Sequence, residues 1–128
     1  MIKNKPSGLG MLCLLFLISF SLSAKEKNVL FLAGKKSHRP GLHEHRAGSL
    51  LLADALNKSK LGISARVINV WPKNLNEFDG VDALVVYADA GGNFSEDKLK
   101  VLDQRIKDGM GIMFMHYGVH PSKKVGQK

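Results

Sequence analysis

Val29-Leu30-Phe31-Leu32-Ala33 is apolar at every position and gives way at once to Gly34-Lys35-Lys36-Ser37-His38. A strand without polar alternation must be covered on both faces, which calls for a parallel sheet with helices on either side. Ala83-Leu84-Val85-Val86-Tyr87-Ala88 repeats the pattern and ends in Asp89-Ala90-Gly91-Gly92-Asn93-Phe94. Ile63 to Asn69 and Gly111 to Met115 supply two further strands, the first closed by Val70-Trp71-Pro72 and the second running into His116-Tyr117-Gly118. Pro72 cannot donate to a ladder, so the strand stops there.

Helical periodicity fills the gaps between these runs. From His45 to Lys58, the spacing of Gly48, Leu51, Leu52, Ala55 and Leu56 predicts the face that packs on the sheet, with Arg46, Ser49, Asp54 and Asn57 turned outward and Gly62 just past the end. After Ser95, a candidate cap, Leu99, Leu102 and Ile106 stripe a second helix that Gly109 ends. Only a turn or two of helix fits between Asn74 and Phe78. The order βα β(α) βα β predicts a flavodoxin-like three-layer α/β sandwich with a parallel sheet of strand order 2-1-3-4.

The start of the chain is of another kind. Lys3 and Lys5 precede an apolar run from Met11 to Phe20, and Ser21, Ser23 and Ala24 are small. This is the pattern of a secretory signal peptide over residues 1–24, with cleavage after Ser23 or Ala24 and a secreted or periplasmic product carrying no membrane segment. Cys13 is the single cysteine and lies inside that leader, so the mature chain has no thiol, disulfide or cysteine ligand. The formal charge of +8 falls to +6 once Lys3 and Lys5 are removed. The excess lysines are scattered over loops and helix faces without aromatic interleaving, which argues for a solvated basic surface and against nucleic-acid binding.

All five histidines, His38, His43, His45, His116 and His120, follow the carboxyl end of the first or fourth strand. In open α/β sheets ligands bind outside those ends, at the point where strand order reverses. His38, His43, His45 and His116, with Glu44 and Asp89, are therefore expected to share one site. An imidazole exchanges protons near neutrality and also ligates divalent ions such as zinc, so His38, His43 and His45 are candidate metal ligands. His43-x-His45 matches no established zinc spacing, and hydrogen bonding alone stays open for each ring. Gly34 to Ser37 is not a phosphate loop, because Val29 stands where the Walker pattern needs glycine and Lys36 where it needs a hydroxyl. Trp71 can stack on a sugar or pack on its neighbours.

Several stretches carry a family resemblance: Val29 to Lys35 with Ser37-His38, then His43-Glu44-His45 before Ala47-Gly48 and Leu50 to Ala53, Trp71-Pro72, Phe78-Asp79-Gly80 and His116-Tyr117-Gly118-Val119. In this order they resemble the ThuA-like (trehalose utilisation) domains, related in fold to class I glutamine amidotransferases. The resemblance implies that residues 25–128 are the N-terminal part of a longer domain, truncated at its C-terminus, with a carbohydrate-related role. It also implies that His116 occupies the elbow where the amidotransferases carry a nucleophilic cysteine, so glutamine hydrolysis is not expected. Under this reading His116, His38 and Asp89 are the catalytic candidates, and His43, Glu44, His45, Gly34, Gly91 and Gly92 the ligand-binding ones. The expected partner is a small carbohydrate or derivative. An exported enzyme and a non-catalytic module that binds a carbohydrate or a partner both fit.

Overall fold

A computed structural model describes residues 25–89 and 94–120. Residues 1–24, expected to be a leader, Gly91 and Gly92 among the ligand-binding candidates, and residues 121–128 lie outside the described residues. Strand β1 (Lys27–Ala33) leads to helix α1 (His45–Lys58), β2 (Ile63–Asn69), a short 3-10 turn (Leu75–Phe78), β3 (Ala83–Tyr87), helix α2 (Glu96–Lys107), β4 (Gly111–Met115) and a second 3-10 turn (His116–Val119). The strands form one parallel four-stranded sheet in the order β2-β1-β3-β4. This is the flavodoxin-like arrangement that the apolar runs called for. Among the described residues no helix is long and apolar enough to cross a membrane.

Alternate residues of the central strands face opposite layers, because side chains along a strand point to opposite faces. Leu30, Leu32, Leu84 and Val86 pack with Phe78, Phe94, Leu102 and Met110 on the α2 side. Phe31 and Val85 pack with Ala53 and Ala65 on the α1 side, with Leu56 and Val67 at the margin. Both faces of β1 and β3 are thus dry, which is why their sequences show no polar alternation.

The buried stripe of α1 differs from the one its leucines predict. His45, Ser49 and Ala53 are the buried residues of the helix. Leu51 is 70% exposed and Leu50 and Leu52 also reach solvent, whereas Ser49, expected outward, is fully buried. The physical reason is close approach. A Cβ added at Gly48 would stand 2.6 Å from Tyr87 Cε1, and the His45 ring sits edge-on to Tyr87 at 5.1 Å. Small side chains let α1 settle over the end of β3, and fit prevails over hydrophobicity in choosing the face.

Two smaller expectations are also corrected. Leu102 is buried, but Leu99 and Ile106 remain 38% and 41% exposed, so α2 touches the core through a narrower stripe. Ser95 occupies the N-cap position without a side-chain capping bond. At the other end, Gly109 turns the chain with φ 102°, a conformation that favours glycine.

The amino ends of β1 and β3 are tied together by Asp82. Its carboxylate accepts from Lys27 Nζ and from the Asn28 N–H, both at 2.8 Å. The lysine and then the backbone bond hold its carboxyl below the ordinary 3.8. A depressed carboxyl stabilises the fold above its unfolded pKa, and that contribution is lost as the pH falls through the lowered value. Asp82→Asn is therefore expected to lower the melting temperature at pH 7. The gap to the parent chain should begin to narrow below about pH 4 and close once the pH is beneath the lowered value, and a gap independent of pH would mean the bond to Asn28 acts without charge.

Candidate functional site

The site forms where β1 and β3 lie side by side and the chain leaves them in opposite directions. Ala33 pairs with Tyr87 at the last register position, and the Gly34 N–H donates to the Tyr87 carbonyl at 2.8 Å. Gly34 is held tightly there: a Cβ would fall 2.6 Å from Ala88 Cβ and 2.8 Å from its Cα. The loop after Gly34 then folds back over the strand ends and carries Ser37, His38 and His43 onto Asp89.

Asp89 is the hub. His43 Nδ1 lies 3.0 Å from Asp89 Oδ2, His38 Nδ1 lies 3.8 Å from the same oxygen, and His45 Nε2 lies 3.5 Å from Oδ1. Ser37 Oγ is 3.0 Å from His38 Nδ1 and 3.3 Å from His43 Nδ1. The Ser37 hydroxyl first, then the His43 bond and the charges of His43 and His45, hold the Asp89 carboxyl down to about 2, against the opposing effect of desolvation. Asp89 is therefore ionised at any physiological pH.

His43 is the centre of the rings. It lies 3.9 Å from the His38 ring, 5.8 Å from His45 and 4.8 Å, edge-on, from His116. His45, the first residue of α1, is 2% exposed, with its Nδ1 3.3 Å from the Lys35 carbonyl. His116 leaves β4 with φ 55°, a left-handed conformation costing an L-residue about 1–2 kcal/mol. Its own Nδ1 accepts from the Tyr117 N–H at 2.7 Å, which helps to hold the turn.

A cleft of about 420 Å³ opens beside the cluster, sharing Ser37 and Asp89 with it. Lys35, Lys36 and Lys98 line it with Trp71, and Asp89 is its only acidic lining residue among the described residues. Trp71 is wedged 5.1 Å from Phe78 and 5.4 Å from Phe94, with Lys98 Nζ 5.5 Å above its ring. The indole therefore packs on its neighbours and walls the cleft as well.

No family model, curated protein or solved structure matches this chain.

The structure thus brings His38, His43, His45, His116 and Asp89 together, with Gly34 at the floor. Glu44 is not among them, because its Oε1 accepts from the Gly41 N–H at 2.9 Å and folds back on its own loop. His120 stays outside as well, exposed and 6.2 Å from the Tyr117 ring. His38, His43 and Asp89 each offer one donor atom within 4.8 Å of the others, a grouping that differs from the three histidines named as ligands above. Ser37 and Tyr87 were not singled out by sequence. Tyr87, the one polar group of an otherwise aliphatic run, carried a signal. Lys98 carried none, since only the packing of α2 brings it to the cleft.

Proposed function

We infer that this chain is an exported ThuA-like domain that acts on a sugar or sugar-derived metabolite at the carboxyl ends of β1, β3 and β4. The observation that carries the reading is the convergence of three imidazoles on one carboxylate, with His116 edge-on to the central ring, beside a cleft walled by a tryptophan. Sugars offer hydroxyls for such groups and apolar faces for an indole, and a site of this volume holds a small ligand. The lysines lining the cleft favour a sugar with an anionic group, such as a uronate or a sugar phosphate. Asp89 orients His43, and His116 presents a ring able to exchange a proton with a bound hydroxyl. The leader over residues 1–24 supports export.

Trp71 is the only tryptophan in the chain, so its fluorescence reports on the cleft directly. Titration with neutral disaccharides, uronates and sugar phosphates is expected to give saturable quenching, strongest for the anionic ligands. Absence of any response across the panel would reject the reading. Product formation followed by NMR then separates an enzyme, whose turnover disappears in His116→Ala, from a module that binds and releases its ligand unchanged.

A further inference from the structure

We propose that His38, His43 and Asp89 form a binding site for a divalent first-row transition metal, with His45 supporting it from behind. Two imidazoles and one carboxylate are a donor set such ions accept, and three protein ligands leave positions open for water or a ligand oxygen. The measured separations suit it. Ligands at 2.0–2.1 Å from a tetrahedral ion lie about 3.3–3.4 Å from one another. Here His43 Nδ1 and His38 Nδ1 stand 3.0 Å and 3.8 Å from Asp89 Oδ2. The donors come from two adjoining segments, and their side chains are 49%, 20% and 22% exposed for His38, His43 and Asp89. An ion can therefore enter from the solvent side and keep a free position facing the cleft.

His45 supplies an independent indication. Its Nδ1 faces the Lys35 carbonyl at 3.3 Å, and a carbonyl only accepts, so that nitrogen carries the hydrogen. Nε2 faces Asp89 Oδ1 at 3.5 Å. Both atoms are buried, and among the described residues neither has a hydrogen-bond partner. A buried ring nitrogen and a buried carboxylate oxygen without such bonds mark a polar pocket directly behind the proposed ligands. An ion between His38 and His43 would take the other oxygen of the same carboxylate, Oδ2. When bound, the ion would supply Lewis-acid polarisation of a ligand oxygen or water, while Asp89, fixed by His45, would set its position.

Metal binding is separable from carbohydrate binding, because the metal alone is the probe. Purified full-length chain, stripped with a chelator, is titrated with Co(II) and followed by its visible d–d absorption. Zinc competition and metal content by mass spectrometry give the stoichiometry. One ion per chain is expected, with Co(II) bands of low coordination number that zinc abolishes. His38→Ala, at a half-exposed side chain, should weaken binding by about 100-fold, and His45→Gln by about 10-fold. His120→Ala, outside the cluster, should bind as the parent does. Circular dichroism confirms that each variant is folded. No Co(II) spectrum in the folded parent, or equal affinity in parent and His38→Ala, would overturn the proposal even if sugars still quench Trp71.

Discussion

Replacing Phe78 by alanine is expected to destabilise the chain by about 3–5 kcal/mol, the range for truncating a buried aromatic ring. Phe78 is 2% exposed and belongs to the cluster with Leu30, Leu84 and Val86 that covers one face of the sheet. The 3-10 turn around it is short, so the vacated space is bordered by rigid strands that cannot collapse into it. Its ring also buttresses Trp71 at 5.1 Å. Loss of stability and loss of the cleft wall should therefore appear together. Urea denaturation should show a lower midpoint, and the Trp71 emission of the folded variant should shift to the red as water reaches the indole. Domains of ordinary stability have only about 5–15 kcal/mol in total, so a marginal native baseline is part of the expected result. A change below about 1 kcal/mol would mean that the 3-10 turn does not pack as described.

Asp89→Asn is expected to have the largest effect on the site itself. The substitution keeps size and shape but removes the charge that gathers His38, His43 and His45 within 3.8, 3.0 and 3.5 Å. A hydrogen bond to a charged group is worth about 1.5–3 kcal/mol, and losing the one that orients His43 is expected to weaken ligand binding by about 10- to 150-fold. Quenching of Trp71 by whichever sugar binds the parent should weaken within that range. Far-UV circular dichroism should be preserved, because Asp89 lies beyond the end of β3 (Ala83–Tyr87) and takes no part in the sheet ladder. Unchanged affinity in a folded Asp89→Asn would show that the ligand meets Trp71 and the lysines without engaging the histidine cluster.

The limits of sequence reading follow from the same residues. Continuous apolar runs at Val29 to Ala33 and Ala83 to Ala88 determined a sheet buried on both faces. The intervening helical segments and the short passage around Phe78 determined parallel strands in the order 2-1-3-4. That inference works because burial is averaged over many residues and the handedness of crossovers leaves few topologies. The position of the histidines after strands one and four likewise pointed to the edge of the sheet at which His38, His43, His45 and His116 gather. What sequence left undecided depends on single contacts. The stripe of α1 runs through His45, Ser49 and Ala53 because Gly48 and His45 meet Tyr87, and three consecutive leucines cannot reveal which of their neighbours will meet a ring on another strand. Glu44 and His45 are adjacent in the chain, yet one bonds its own loop and the other lies under Asp89. The first turn of a helix turns successive side chains by about 100°, and only the packing of α1 fixes which one points inward. Asp89 as the common partner of three imidazoles, the left-handed turn at His116 and the arrival of Lys98 beside Trp71 all join residues distant in sequence. Distances of a few ångströms between such residues are set by tertiary packing alone.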